Sequence, residues 1–358
     1  MVINLLLYVY LFSCFALFIF NLLYMILSSF LNKRRHQKCS QYETQIMNES
    51  IYLQTHPKLS ISHERYLLKR LRNINDLIAF NKALDHFEKK SVEPYLTQLL
   101  PIWQQLAVSY LKKDNMKKAF FAYVISKHGL YYGKEYRPLM QLLLQFLDHS
   151  TIYCRENVFK ALCTLGNIQA IENMMNIIND KEWFHHQKLV ADNLSVFQGD
   201  QELLMTRLWQ HVNEWNDHLM VAVVQFISQK NGNFQQIFLP YLRSPQTSLE
   251  VRLAMIRYYR LHPYEPVREI LYSFIDDTMI QDVSLTIVSA FALDHYPGNK
   301  TIELLKKALC HHNWYVRRNA AASLVHLKVA KKDLKDIYEG KDPYAKEILT
   351  YMYKKQEV

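Results

Sequence analysis

Glycine, proline and pairable cysteine are what this chain most lacks. Seven glycines and ten prolines are few for 358 residues, too few for the tight turns of a β architecture or the glycine-rich loop of a dinucleotide fold. The five cysteines, Cys14, Cys39, Cys154, Cys163 and Cys310, are odd in number and show no paired spacing, so no disulfide framework is implied and most of the chain is expected in a reducing compartment. No P-loop, G-x-G-x-x-G, nucleophile elbow, H-E-x-x-H or C-x-x-C pair occurs, and these motifs have mechanical reasons for their spacing. The expectation is a protein that is not an enzyme and has no cofactor or metal. What is abundant is Leu, Lys, Gln, Met and Tyr, a composition that favours helix. A net charge of +10 and a pI near 9.1 suit nucleic acid and the cytoplasmic face of an anionic membrane equally.

From Val2 to Leu31 no side chain is charged, and a span needs only ~20 apolar residues. Residues 1–32 are therefore expected to form a single transmembrane helix that meets lipid through residues 2–31. A signal peptide is the rival, but nothing basic precedes the run, its apolar stretch is longer than an h-region, and no small-x-small cleavage site follows. Lys33, Arg34, Arg35 and Lys38 follow it directly. Basic residues resist translocation, so the N-terminus should lie outside and the remainder in the cytoplasm of a single-pass cell-membrane protein. Residues 33–60 read as a basic, polar juxtamembrane tether without sustained apolar period.

Residues 61–358 carry a repeat. With Arg155, Gln187, Met220, Arg252, Ser284 and Arg317 as equivalent points, the spacing is 32 or 33 residues throughout. Three and four places on stand Val158/Phe159, Val190/Ala191, Val223/Val224, Met255/Ile256, Ile287/Val288 and Ala320/Ala321, and seven on stand Leu162, Leu194, Ile227, Tyr259, Phe291 and Leu324. This is the buried stripe of one helix copied six times. Gly166, Gly199, Gly232 and Gly298 keep the same beat, with Glu265 between Pro263 and Pro266 in the missing place, so a turn is expected after each first helix. Asp148, Asp180 and Asp277, seven residues before their anchor points, are expected as helix caps. Upstream, helices are expected near 62–72, 74–90, 92–113, 115–128 and 138–148, and downstream a polar cap over 331–339 and 343–354.

The stretch 313–327, Asn-Trp-Tyr-Val-Arg-Arg-Asn-Ala-Ala-Ala-Ser-Leu-Val-His-Leu, resembles the first helix of a HEAT repeat of the short bacterial kind. The match is good around Arg317, fair around Arg155 and Arg252, and weak where the family's arginine is replaced by Gln187, Met220 and Ser284. The resemblance implies an all-α fold, a right-handed superhelical HEAT-like solenoid behind the transmembrane helix, with a concave surface for protein binding.

Three sets of residues invite a functional reading. Cys310-His311-His312 and His185-His186 are weighed as metal ligands and set aside, because adjacent residues at a helix start do not converge. Arg155, Arg252 and Arg317 are expected to form a structural ladder of charge-assisted bonds between units rather than a functional basic stripe. The longer connection holding Tyr131, Tyr132, Lys134, Tyr136 and Arg137 is the candidate partner-binding segment, the other reading being tyrosines packed on the neighbouring repeat. The function expected is a membrane-anchored, cytosol-facing adaptor or scaffold for a protein partner at the membrane, in a setting such as envelope or polysaccharide synthesis. The alternatives are a nucleic-acid-binding HEAT-like protein and an enzyme of a HEAT-like family resembling the bilin lyases. Nucleic acid is disfavoured because 168–179 has no Lys or Arg and 200–213 only Arg207.

Overall fold

A computed structural model describes residues 2–130, 136–230, 232–276 and 282–356, the side chains of 2–9, 27, 29–31 and 356 excepted. Every regular element among the described residues is helical. The chain divides into two compact units, Met1–Ile171 and Glu172–Val358.

The first unit contains α1 (Val2–Tyr52), α2 (Ile61–Arg70), α3 (Ile74–Asp85), α4 (Glu93–Gln98), α5 (Leu100–Tyr110), α6 (Asn115–His128), α7 (Arg137–Gln145) and α8 (Ile152–Leu165). The expected helix 92–113 is two helices, because Pro101 at the start of α5 has no N–H to return to the preceding turn. α3 packs on α1 and α6, and α6 on α8. A file of rings, Phe80 to Trp103 to Phe121 to Phe146, runs through the interior at centroid spacings of 6.2, 5.9 and 6.0 Å. Such tilted contacts add specific attraction to the burial of large apolar area.

The expected tether is not a tether over most of its length. α1 is one helix of 51 residues, and Cys39, Tyr42 and Ile46 are 5 %, 1 % and 0 % exposed. Their spacing of three and four puts them on one face, so a short apolar stripe inside a polar segment docks the helix on α3. Lys38 is drawn into the same contact: its Nζ lies 2.8 Å from Oδ2 of buried Asp76, and Tyr42 OH donates to Asp76 Oδ1 at 3.4 Å. Lys33 and Arg34 are exposed. At the far end of α1, Glu49 accepts from the backbone N–H of Ser60 at 3.0 Å and from its hydroxyl, closing the turn into α2.

The expected transmembrane segment coincides with the first part of α1. Among the described residues no helix is long and apolar enough to cross a membrane. The described side chains of this part, Tyr10–Ile26, are exposed on every side of the helix, with Phe12 at 73 % and Phe20 at 66 %.

The helix α9 (Ile168–Asp180) leads into the second unit. There α10 (Gln187–Ser195), α12 (Asp217–Lys230), α14 (Leu249–Leu261), α16 (Val283–Ala292), α18 (Trp314–His326) and α20 (Pro343–Gln356) pack each on the next. Between them run α11 (Gln201–His211), α13 (Gln235–Arg243), α15 (Arg268–Asp276), α17 (Asn299–Leu309) and the short α19 (Lys335–Tyr338). All six anchor points of the repeat fall in first helices, α8, α10, α12, α14, α16 and α18. The predicted stripe is buried in five of the six. In α16 it is not: Phe291 is 38 % exposed, and Leu285, Thr286, Ser289, Ala290 and Leu293 are buried instead. The register there is two residues later than the sequence alignment placed it, so Thr286 takes the equivalent point. Ile287, Val288 and Phe291 on the outer face of α16, against Thr286, Ser289 and Ala290 on the buried one, left its apolar period ambiguous.

The turns are also more varied than their even spacing implied. Gly166 ends α8 in the left-handed region, at φ 73°, with its N–H bonded to Leu162 and Cys163 carbonyls. Gly298 instead precedes α17. The expected aspartate caps are displaced: Asp180 is the last residue of α9, and Thr151, not Asp148, stands at the start of α8, while Asp277 lies outside the described residues. The first helices α10, α12, α16 and α18 are capped immediately before they begin, by His186, Asn216, Asp282 and Asn313. A side-chain acceptor reaches only the N–H groups two or three residues ahead of it, which a residue seven places from the anchor point cannot do here.

Candidate aromatic cleft between α18 and α20

The last two large helices of the second unit leave a cleft of about 410 Å³ between them. Its walls come from the first turn of α18, where Asn313 accepts from the N–H groups of Tyr315 and Val316 and so fixes the direction in which Trp314, Arg317 and Arg318 project. The facing wall is one side of α20, where Tyr344, Ile348, Tyr351 and Lys355 recur at spacings of three and four. Trp314, Tyr344 and Tyr351 are 55 %, 70 % and 57 % exposed. Such a cluster of large rings open to solvent is uncommon on a surface with no ligand to cover it.

Two arginines hold the rings. The Arg318 guanidinium lies 5.8 Å from the Trp314 ring centre and that of Arg317 lies 5.9 Å from Tyr344. Arg317 also bonds the carbonyl of His311 through Nε and Asp342 Oδ2 through Nη1 at 2.7 Å. Asp342 in turn accepts from the N–H groups of Tyr344 and Ala345 at the start of α20. Burial works against the Asp342 carboxylate, but the Ala345 N–H and the Arg317 guanidinium hold it below the usual carboxylate range. The pair thus sets the distance between the two walls. Arg318 and Lys355 against Glu347 leave the rim cationic. The volume and lining suit one or two apolar side chains of a peptide with acidic neighbours.

Of the arginine ladder, Arg317 reaches the next helix pair by an ion pair to Asp342. Arg155 donates to the Ser150 carbonyl at 3.5 Å, and Arg252 lies over the Phe274 ring at 5.0 Å in a cleft of about 540 Å³. Two pairs between successive helix pairs of the second unit stand where the repeat alignment did not look. Arg260 grips Asp294 with Nη2 at 2.7 Å and stacks 3.7 Å from the Phe291 ring centre. Arg207 Nε lies 2.8 Å from Glu172. Asp294 and Glu172 are nearly wholly buried, 2 % and 4 % exposed at the side chain. A spacing of 34 or 35 residues between opposite charges was the available signal.

Tyr131, Tyr132 and Lys134 of the candidate partner-binding segment lie outside the described residues. Tyr136 is half-buried, which pushes its hydroxyl pKa up, and Arg137 is exposed at the start of α7. His186 Nδ1 caps α10 and His311 Nδ1 accepts the Asn313 N–H, so both imidazoles hold backbone at helix starts. Among the described residues two other groups could ligate a metal, Asp294 with His295 and His326, and Cys39 with Glu43 and His86. In the first, Arg260 already occupies both carboxylate oxygens and brings a positive charge.

No family model matches the chain, and no curated protein or solved structure shows significant similarity to it.

Proposed function

We propose that the chain is a membrane-anchored, cytosol-facing adaptor of HEAT-like solenoid type, whose right-handed array presents the α18–α20 cleft to a segment of a membrane-associated protein. The cleft carries the reading: three exposed rings with a cationic rim form the kind of patch in which a few aromatic anchors supply most of the affinity. The anchor is supported by α1. A helix apolar all round suits lipid, whereas one that docks on protein keeps a polar face, and Tyr10–Ile26 with the run before it has none. Lys33, Arg34 and Arg35 then keep the following residues on the cytosolic side. Tethering raises the local concentration of a weak binder without any new contact. Tyr136 and Arg137, with Tyr131, Tyr132 and Lys134, form a second contact in this scheme.

A photo-reactive amino acid at Tyr351 in the full chain, activated in native membranes, identifies the protein seated at the cleft. That protein, purified, should bind the detergent-solubilised chain at least about tenfold more weakly after Trp314→Ala, with helical content unchanged. Equal binding by the two chains removes the cleft from the reading. A C-terminal reporter active only outside the cytosol should be silent; if it is active, the orientation is wrong.

A further inference from the structure

Where α1 leaves the exposed apolar part and docks on α3, Cys39, Glu43 and His86 converge. Cys39 and Glu43 are one helical turn apart on α1, and His86 is the residue that ends α3. Cys39 Sγ lies 3.2 Å from Glu43 Oε1, and His86 Nδ1 lies 2.5 Å from that same oxygen. All three donor atoms fall within 4.8 Å of one another. We propose that these residues form a site for a thiophilic divalent cation of the zinc class, which clips α1 to the end of α3.

The donor set decides the class of ion. A thiol and an imidazole with one carboxylate select zinc-like ions over magnesium or calcium, which want oxygen alone. Bonds of ~2.3 Å to sulfur and ~2.0–2.1 Å to nitrogen and oxygen place tetrahedral donors roughly 3.3–3.6 Å apart. The sulfur–oxygen distance is already close to this. The nitrogen–oxygen distance must open by about an ångström, and His86, 64 % exposed at the side chain, has room to swing. Cys39 is held in place because Tyr42 and Ile46 on the same face are buried and Lys38 is paired to Asp76. Three protein ligands leave a fourth position for water on the open His86 side. On binding, the Cys39 thiol gives its proton to solvent and its sulfur lone pair to the metal. Lys82 and Asp85 of α3 flank the site with opposite charges.

The contrast with the other cluster is what favours this one. At Asp294, His295 and His326 the carboxylate already serves a guanidinium, whereas Glu43 is paired with the two groups that would become its co-ligands.

The full chain in detergent, stripped with chelator and titrated with cobalt(II), should take up one equivalent and develop a thiolate-to-cobalt charge-transfer band together with tetrahedral d–d absorption, and zinc should displace it. His86→Ala, a change at an exposed residue that leaves folding intact, should weaken binding at least about tenfold. Cys39→Ser should abolish the charge-transfer band, while Cys310→Ala should leave both unchanged. Cobalt uptake without a charge-transfer band, no uptake at all, or equal affinity in His86→Ala overturns the site.

Discussion

The two units bury similar helices by different means. In Glu172–Val358 the helices repeat, and buried or half-buried carboxylates pair with an arginine from a neighbouring helix pair, Glu172 with Arg207, Asp294 with Arg260 and Asp342 with Arg317. Met1–Ile171 is organised differently up to α7, and the repeat beat enters it only with α8. One long helix lays Cys39, Tyr42 and Ile46 against α3, and the buried acid Asp76 gathers Lys38 and Tyr42. A repeat spreads its stability over neighbour contacts, so damage stays local; a unit organised on one helix concentrates it.

The largest expected loss tests the repeat side of this contrast. Asp294→Ala leaves the Arg260 guanidinium half-buried and unpaired and should cost about 4 kcal/mol, with hydrogen exchange accelerated in α14 and α16 and little changed in α3 and α6. Acceleration throughout both units would erase the distinction. Ile46→Ala, at 0 % exposure, should cost about 3 kcal/mol and speed exchange over the whole of α1–α6. Tyr52→Ala at the half-exposed end of α1 should cost little; if Ile46→Ala is equally mild, residues 33–52 are a tether after all.

Acid should separate the units next. Burial depresses the His128 imidazolium to about 4, the Asp85 charge opposing and the Lys127 and Lys89 charges adding. An unfolded histidine titrates near ~6.5, so the unfolded chain takes up this proton first. The stability held by neutral His128 is fully present above ~6.5 and is lost as the pH falls towards about 4. His63, also buried in the first unit, shifts in the same direction. The urea midpoint of the first unit, followed by exchange of α6, should therefore fall between pH 7.5 and 4.5. His128→Asn, which keeps a donor for Asn81 Oδ1, should reduce that fall; an unchanged difference would assign it to other groups.

The smallest effects compare adjacent arginines. Arg317→Ala should cost about 1–2 kcal/mol through its Asp342 pair. Arg318→Ala should leave the melting curve within ~0.5 kcal/mol while weakening whatever binds between Trp314 and Tyr351. Equal losses for the two would separate the cleft geometry from the Arg317–Asp342 bond.

Helix, and the beat of 32 or 33 residues, were legible because both rest on local chemistry: sparse glycine, a 3.6-residue apolar period, and six copies that reinforce one another. The basic residues after the apolar run were equally plain, and so was the stripe around Arg317, where alanines leave the period unambiguous. The cleft was not legible. Trp314 and Tyr351 are 37 residues apart in the chain, and nothing in either helix alone says that their faces meet.

By itself the sequence determined that the chain is helical, where most helices beyond residue 61 fall to within a few residues, and which side of most of them is apolar, since each of these follows from residues within a few positions of one another. Only the tertiary structure decided that residues 33–52 dock rather than dangle, that the stripe of α16 sits two residues late, and that Lys38, Arg260 and Arg207 meet buried acids. Those outcomes depend on which of several acceptable partners lies opposite, and that is fixed by how many helices can be buried at once.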